Sequence, residues 1–235
     1  MSKGTAVDSV VDAIEYKPVS LDQITRPAPA AGAFVHSVLS FTRLEIPEVE
    51  VYETAVTFDA TTDPLSAHDA LADVFGQKAG SGFFLFRADS AMAGRYWVRS
   101  VEPWTRWPTG ASSALEPKRM VIQLAEGLMY RFTLQVCAGR EFIEGKEKRV
   151  EAYRTVEEVD AWFAEHAKND GMRPLLTNVS LQRLRFTHKN QRFKIAFASI
   201  EGALEVAAAP AMQRRLLKGF GSYRRTGLGM MQLSA

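Results

Sequence analysis

The chain has 235 residues, 46% of them hydrophobic and 24% charged, with a formal net charge of +2. Those proportions are ordinary for a folded chain and argue against intrinsic disorder, and the length suits one large domain or two small ones. One cysteine, Cys137, excludes an intramolecular disulfide. No apolar run approaches the ~18 residues of a membrane helix, and the acidic N-terminal stretch lacks the basic-then-apolar order of a secretory signal. The expectation is a cytoplasmic protein with no membrane segment.

The small total hides a steep gradient. Residues 1–62 carry 4 basic and 9 acidic groups, whereas residues 172–235 carry 11 and 2. Excess positive charge concentrated in the last third is the electrostatic footprint of a polyanion-binding surface. The competing reading is a basic face that serves solubility alone.

In chain order, residues 1–48 read as a partly mobile extension with a Pro- and Ala-rich stretch at 26–33, although the apolar run 34–44 has strand character. Residues 51–60 alternate as a strand. A helix opens at Asp63-Pro64 or at Ser66, where Ser66 and Asp69 resemble a capping box. It lines up His68, Leu71, Ala72 and Phe75 on one face and ends at Gly76. Strands follow at 83–89 and 94–102, then a linker at 107–118. In the second half, residues 128–137 alternate with Tyr130, Phe132, Leu134 and Val136 on one face. Thr155 and Glu158 form a capping box for a helix with an apolar stripe of Val156, Val159, Trp162 and Phe163, stopped by Gly171. A hairpin over 181–199 turns near Lys189-Asn190. A strand over 200–206, a helix opened by Pro210 and a last strand after Gly229 complete the chain. This order predicts an α+β protein of two tandem ferredoxin-like (RRM-like) domains, residues 49–115 and 119–235.

Two clusters carry the late positive charge: Arg183, Arg185, Lys189, Arg192 and Lys194 on the hairpin, and Arg214, Arg215, Lys218, Arg224 and Arg225 near the end. The second overlaps the segment GFGSYRRTGLGMMQL, residues 219–233. It lacks the Gly-Lys-Ser/Thr of a Walker loop and has Arg224 where a dinucleotide fingerprint needs its third glycine. The residues beyond Gly229 are too few for a phosphate-binding helix. What remains is a close-approaching backbone with two guanidinium groups and the ring of Tyr223, suited to a nucleic-acid backbone. A plain tight turn is the alternative. The aromatic group Tyr96, Trp97, Trp104 and Trp107 can stack on bases or fill a core. His36, His166 and His188 show no metal-ligand spacing, although His188, near the hairpin tip, is placed to touch a bound strand. No metal or other cofactor is expected.

The glycine-rich end resembles the C-terminal signature of the CRISPR repeat-RNA processing endoribonucleases, a family within the RRM-like repeat-associated superfamily. The type I-E subgroup is the nearest match, and a type IV relative is the other possibility. The likeness extends over roughly residues 51–235. It includes the segment Lys148-Arg149-Val150 ahead of an acidic helix with Trp162 and a terminal Gly171, the phrase FASIEGALEV at 197–206, and the FLFR and VEPW strands. The resemblance implies a metal-independent endoribonuclease that cuts precursor transcripts at the base of the repeat hairpin. Its products would be a 2′,3′-cyclic phosphate and a 5′-hydroxyl, and it would be retained as a subunit of an effector ribonucleoprotein.

The resemblance further implies that His68 on the first helix is catalytic, with Lys189 beside the scissile phosphate. RNA contacts would come from Lys148, Arg149, Arg183, Arg185, Arg192, Arg214, Arg215, Lys218, Tyr223, Arg224 and Arg225 and from the backbone at Gly219, Gly221, Gly227 and Gly229. Related enzymes carry Tyr three residues before the histidine, where this chain has Leu65. Leu65 keeps open a non-catalytic subunit that binds the RNA hairpin, and the glycine loop keeps open an enzyme of small-molecule metabolism that uses it for a nucleotide.

Overall fold

Strand β1 (Glu48–Thr57) pairs through Tyr52–Thr57 with β3 (Arg95–Ser100) on one side. On the other side it pairs with β4 (Ser113–Ala114) and β5 (Lys118–Gln123). The structure, a computed structural model, describes residues 48–76, 81, 83–104, 106–144 and 147–234, apart from the side chains of Glu144, Glu147 and Lys148. The extension and the strand expected at 34–44 lie outside the described residues. Between β1 and β3 come helix α1 (Pro64–Phe75) and strand β2 (Phe84–Ala88), giving the order β2-β3-β1-β4. Residues 107–118, expected as a bare linker, hold β4. Residues 119–123, grouped by their sequence with the second half, hydrogen-bond to the first half of β1. Five of the six β5 residues are exposed, so backbone pairing makes the strand and no alternation announces it.

The second sheet has the order β11-β6-β10-β9, built from β6 (Met129–Val136), β9 (Met172–His188), β10 (Gln191–Val206) and β11 (Met231–Ser234). Helix α2 (Val156–Asn169) connects β6 to β9 and α3 (Ala209–Lys218) connects β10 to β11. In both sheets the fourth strand lies beside the first, then come the third and the second, all neighbours antiparallel. This is the ferredoxin-like arrangement twice over, with no second helix among the described residues of the first copy. A separate hairpin, β7 (Gly139–Glu144) and β8 (Glu147–Ala152), is inserted after β6.

Local chemistry explains the helix ends. Thr155 and Glu158 form the expected reciprocal capping box of α2. In α1 the cap is Asp63, whose side chain accepts from the amides of Leu65 and Ser66, and no box forms between Ser66 and Asp69. Asp63 wins because Pro64 follows it at the first helical turn, where a missing amide does no harm. The hairpin is longer than expected. It consumes the separate strand at 200–206 and extends β9 back to Met172.

One core packs Val159, Trp162 and Phe163 of α2 and Met212 and Leu216 of α3 onto Phe132, Leu134, Ile200 and Leu204. It also takes in Val49 and Val51 of β1. The other encloses Leu71 of α1 with Phe84, Phe86, Tyr96 and Val98. Between them runs the glycine-rich segment after α3. Gly219 has φ +76 and meets Leu85 of β2, while Gly227 lies against Phe86. Gly221 (φ +59) approaches so closely that a Cβ there would stand 2.5 Å from Val136 Cγ2 and 2.6 Å from the Cys137 carbonyl oxygen. Gly229 (φ +92) leaves no room before the Phe220 carbonyl, and its amide donates to Gln135 at 2.6 Å.

Gly229→Ala forces a left-handed backbone on a residue with a Cβ and drives that atom into main chain. The expected loss is about 2–4 kcal/mol of folding stability, read as a lower urea midpoint with an unchanged slope.

Candidate nucleic-acid interface

Register separates the hairpin into two faces. Arg185 pairs with Lys194 and Thr187 with Arg192, while Leu184 pairs with Ile195 and Phe186 with Phe193. Side chains alternate across a strand, so Arg183, Arg185, Arg192 and Lys194 share one face, and all four are exposed. The opposite face carries Leu184, Phe186, Phe193, Ile195 and His188. Its rings stack at 5.0 Å between Phe186 and Phe193. Lys189 and Asn190 form the two-residue turn with φ of 47° and 64°, the left-handed pair that a tight hairpin with native twist requires.

The turn meets α1 and the glycine-rich loop. A cleft of about 620 Å³ is bounded by Leu65 and Asp69 of α1, His188 and Lys189 of the hairpin, and Tyr223, Arg224 and Arg225 of the loop. Tyr223 sits at φ 60° and is 44% exposed. Its carbonyl accepts from the Thr226 amide and hydroxyl, which starts a short 3₁₀ turn at Arg224–Thr226. Arg225 reaches Asp69 at 3.5 Å.

Two carboxylates organise the helix side. Asp63 caps α1, accepts the Ser66 hydroxyl at 2.7 Å and faces His188 Nδ1 at 3.1 Å. Burial alone pushes its carboxyl up, but the Ser66 hydroxyl and amide and the His188 ring outweigh this and hold it below the usual range. Asp69 is also held low against burial, by the His68 hydrogen bond and by the charges of His68, Arg225 and Lys189.

His68 is 1% exposed, 3.0 Å from Asp69 through Nδ1, with its ring 6.1 Å from both Phe84 and Phe86. It therefore belongs to the core around Leu71, Phe84 and Phe86 and meets the cleft through Asp69. The remaining sequence-nominated residues divide by what holds them. Arg215 is bound to Asp170 at 2.6 Å and to the Gly219 carbonyl at 3.1 Å, so it fastens the end of α3. Arg224 folds back to the Gly221 carbonyl at 2.7 Å, and burial beside Arg215 lowers its pKa. Gly219, Gly221, Gly227 and Gly229 are packed between the sheets. Arg149, Arg214 and Lys218 are exposed, and the Lys148 side chain lies outside the described residues.

Tyr96 is buried and donates to the Thr62 carbonyl, Trp97 bonds Asp89, and Trp104 stacks on Phe75. Only Trp107 of that aromatic group is exposed, at 58%. Cys137 lies beneath the loop, where burial pushes its thiol up to about 11. It is a thiol at neutral pH and no nucleophile. Sequence reasoning gave Asp63 and Asp69 parts in starting the helix and none in the site. The Asp-Pro pair was a signal for the first, but nothing local announced its second partner, 125 residues away.

The family model described as CRISPR associated protein matches residues 41–234. The fold is shared with solved structures. One is a CRISPR endoribonuclease Cse3 bound to a 19-nucleotide RNA, at TM-score 0.66 and 19% identity over 80% of this chain and 100% of that one. A second is Thermus thermophilus Cse3 with an RNA representing a pre-cleavage complex, at 0.63 and 18% over 80% and 100%. A third is the CRISPR-associated protein Cas6e of Escherichia coli K-12, at 0.60 and 17% over 79% and 99%. No curated protein matches the sequence.

Asp63→Ala removes a helix cap and the His188 contact, and should lower stability by about 1 kcal/mol at pH 7. A carboxyl with a depressed folded pKa contributes fully above its unfolded value, near 3.9, and loses that contribution as pH falls through the folded one. Urea titrations of wild type and variant should therefore converge once the pH has fallen below the depressed folded value.

Proposed function

The chain belongs to the CRISPR-associated protein family, and we propose that it is a metal-independent endoribonuclease that cuts a repeat transcript at the base of its hairpin. One observation carries the reading. The cap of α1, the hairpin tip and the glycine-rich loop, far apart in sequence, converge on a single cleft where Lys189 and Arg225 flank Asp69. The similar Cse3 structures hold RNA, which supports a polyribonucleotide as the occupant.

Cleavage by a 2′-hydroxyl needs a proton acceptor, a proton donor for the 5′-oxygen, and cations at the phosphate. We assign Lys189 and Arg225 to the phosphate. His68 is assigned to positioning, since it holds Asp69, which in turn holds Arg225. Arg183, Arg185 and Arg192 on the exposed ribbon face, Arg214 and Lys218 on α3, and Lys148 and Arg149 on β8 are assigned to stem phosphates. Tyr223 is assigned to a base next to the cut. Duplex RNA is held mainly through backbone and shape. Cleavage removes none of the stem contacts, so the product stays bound and the protein serves as a subunit of a larger ribonucleoprotein. The burial of His68 favours a second reading, a subunit that binds the hairpin without cutting it.

Incubating the purified protein with a labelled repeat transcript and a chelator distinguishes the two. The expected products end in a 2′,3′-cyclic phosphate and a 5′-hydroxyl. An intact, bound transcript selects the second reading, and neither binding nor cutting defeats both.

Removing Arg183 and Arg185 together should weaken binding to all stems alike and reduce the slope of log affinity against log salt by about 2, as measured by filter binding.

A further inference from the structure

Of the two histidines around the cleft, only His188 opens onto it. Its side chain is 14% exposed and its ring packs edge-on to Phe193. Nδ1 lies 3.1 Å from Asp63 Oδ1, 3.3 Å from Oδ2 and 3.4 Å from Ser66 Oγ. The Ser66 hydroxyl already donates to Asp63, and an ionised carboxylate only accepts. The proton shared by His188 and Asp63 therefore sits on Nδ1, which leaves the lone pair of a neutral imidazole on Nε2. Among the described residues no group hydrogen-bonds to Nε2. The next residue, Lys189, is turned by its left-handed backbone into the same cleft.

Resting on the reading of this cleft as an RNA-cleavage site, the geometry points to His188 as the general base, with Asp63 as its positioning residue. Nε2 takes the proton of the 2′-hydroxyl as that oxygen bonds to phosphorus. The bond from phosphorus to the 5′-oxygen breaks with its electron pair on oxygen, which takes a proton from the Lys189 ammonium. Arg225 offsets the charge on the phosphate. His188 is left as an imidazolium and Lys189 as an amine, and proton exchange with water restores both. Asp63 thus does two things with one carboxylate: it starts α1 and sets the tautomer of the base. The charged and titratable groups facing the ring are Asp63 and Asp69 of α1, its neighbour Lys189, and Tyr223, Arg224 and Arg225 of the loop.

Single-turnover cleavage of a labelled repeat hairpin by the full chain, with chelator, from about pH 5 to pH 8, tests this. His188→Ala should cut about 100- to 1,000-fold more slowly while binding the RNA within about threefold of wild type, and added imidazole should restore part of the rate. The wild-type rate should rise from about pH 5 to about pH 8, as a rate that depends on a general base does, and that limb should vanish in the variant. Asp63→Asn keeps a capable helix cap yet presents an amide to Nδ1, so it should slow cleavage about tenfold or more without rescue by imidazole. His68→Ala should keep the pH limb. The proposal falls if His188→Ala cuts within threefold of wild type with the limb intact, or if His68→Ala is the variant that imidazole rescues. A wild type that binds without cutting overturns the nuclease reading along with it, whereas a cutting wild type and an unaffected His188→Ala overturn only the role of His188.

Discussion

The approach of the glycine-rich backbone to both sheets is the constraint on which the rest depends. Gly221 presses on Val136 and Cys137 of the second sheet, and Gly219 and Gly227 press on β2 of the first. A methyl group at Gly221 would drive into Val136 and the Cys137 carbonyl, because close-packed interiors have no slack for it, while Gly219 and Gly227 are held to glycine by their positive φ. Beside the loop, Arg99 is 3% exposed and ties the sheets from within. It lies opposite Glu53 in the β1–β3 register, bonds that carboxylate at 2.7 Å and donates to the Met231 carbonyl at 2.8 Å. A buried guanidinium is tolerated only with partners of this kind. Together these contacts fix where Tyr223 and Arg225 emerge, and hence where they meet α1.

The arrangement assigns different work to residues of the same type. Arginines 183, 185 and 192 stand on the solvent face of the ribbon and are available to a polyanion. Arg215 and Arg224 are consumed by carbonyls and by Asp170, and they stiffen the loop. Positive charge in the last third therefore has two physical roles, a field toward solvent and an internal set of hydrogen bonds to main-chain oxygens. A count of cations cannot separate the two.

Much of the fold was legible in the residues. The alternation of β6, the capping box of α2, the helix opened by Pro210 and the turn at Lys189-Asn190 all rest on local chemistry that acts within a few positions. β4 and β5 were not legible, because they are short or exposed and owe their existence to β1, distant in sequence, and the local β7–β8 hairpin carries no clean apolar alternation to announce it. The site was legible as a set of segments but not as a constellation. His68 shared a helical face with Leu71 and Phe75, and that pattern meets the requirements of a core position and of a catalytic one equally well. Burial against Phe84 and Phe86, contributed by another strand, is what distinguishes them.

By itself the sequence determined the α+β class, the charge gradient, the hairpin turn and the glycine positions, since each follows from periodicity, net charge or backbone freedom inside one short stretch. Only the tertiary structure decided which histidine faces the cleft, which arginines remain available, and that the carboxylate capping α1 reaches a ring across the molecule. Those are questions of which way a side chain points once two distant segments pack together, and that direction is set by the packing of one element on another.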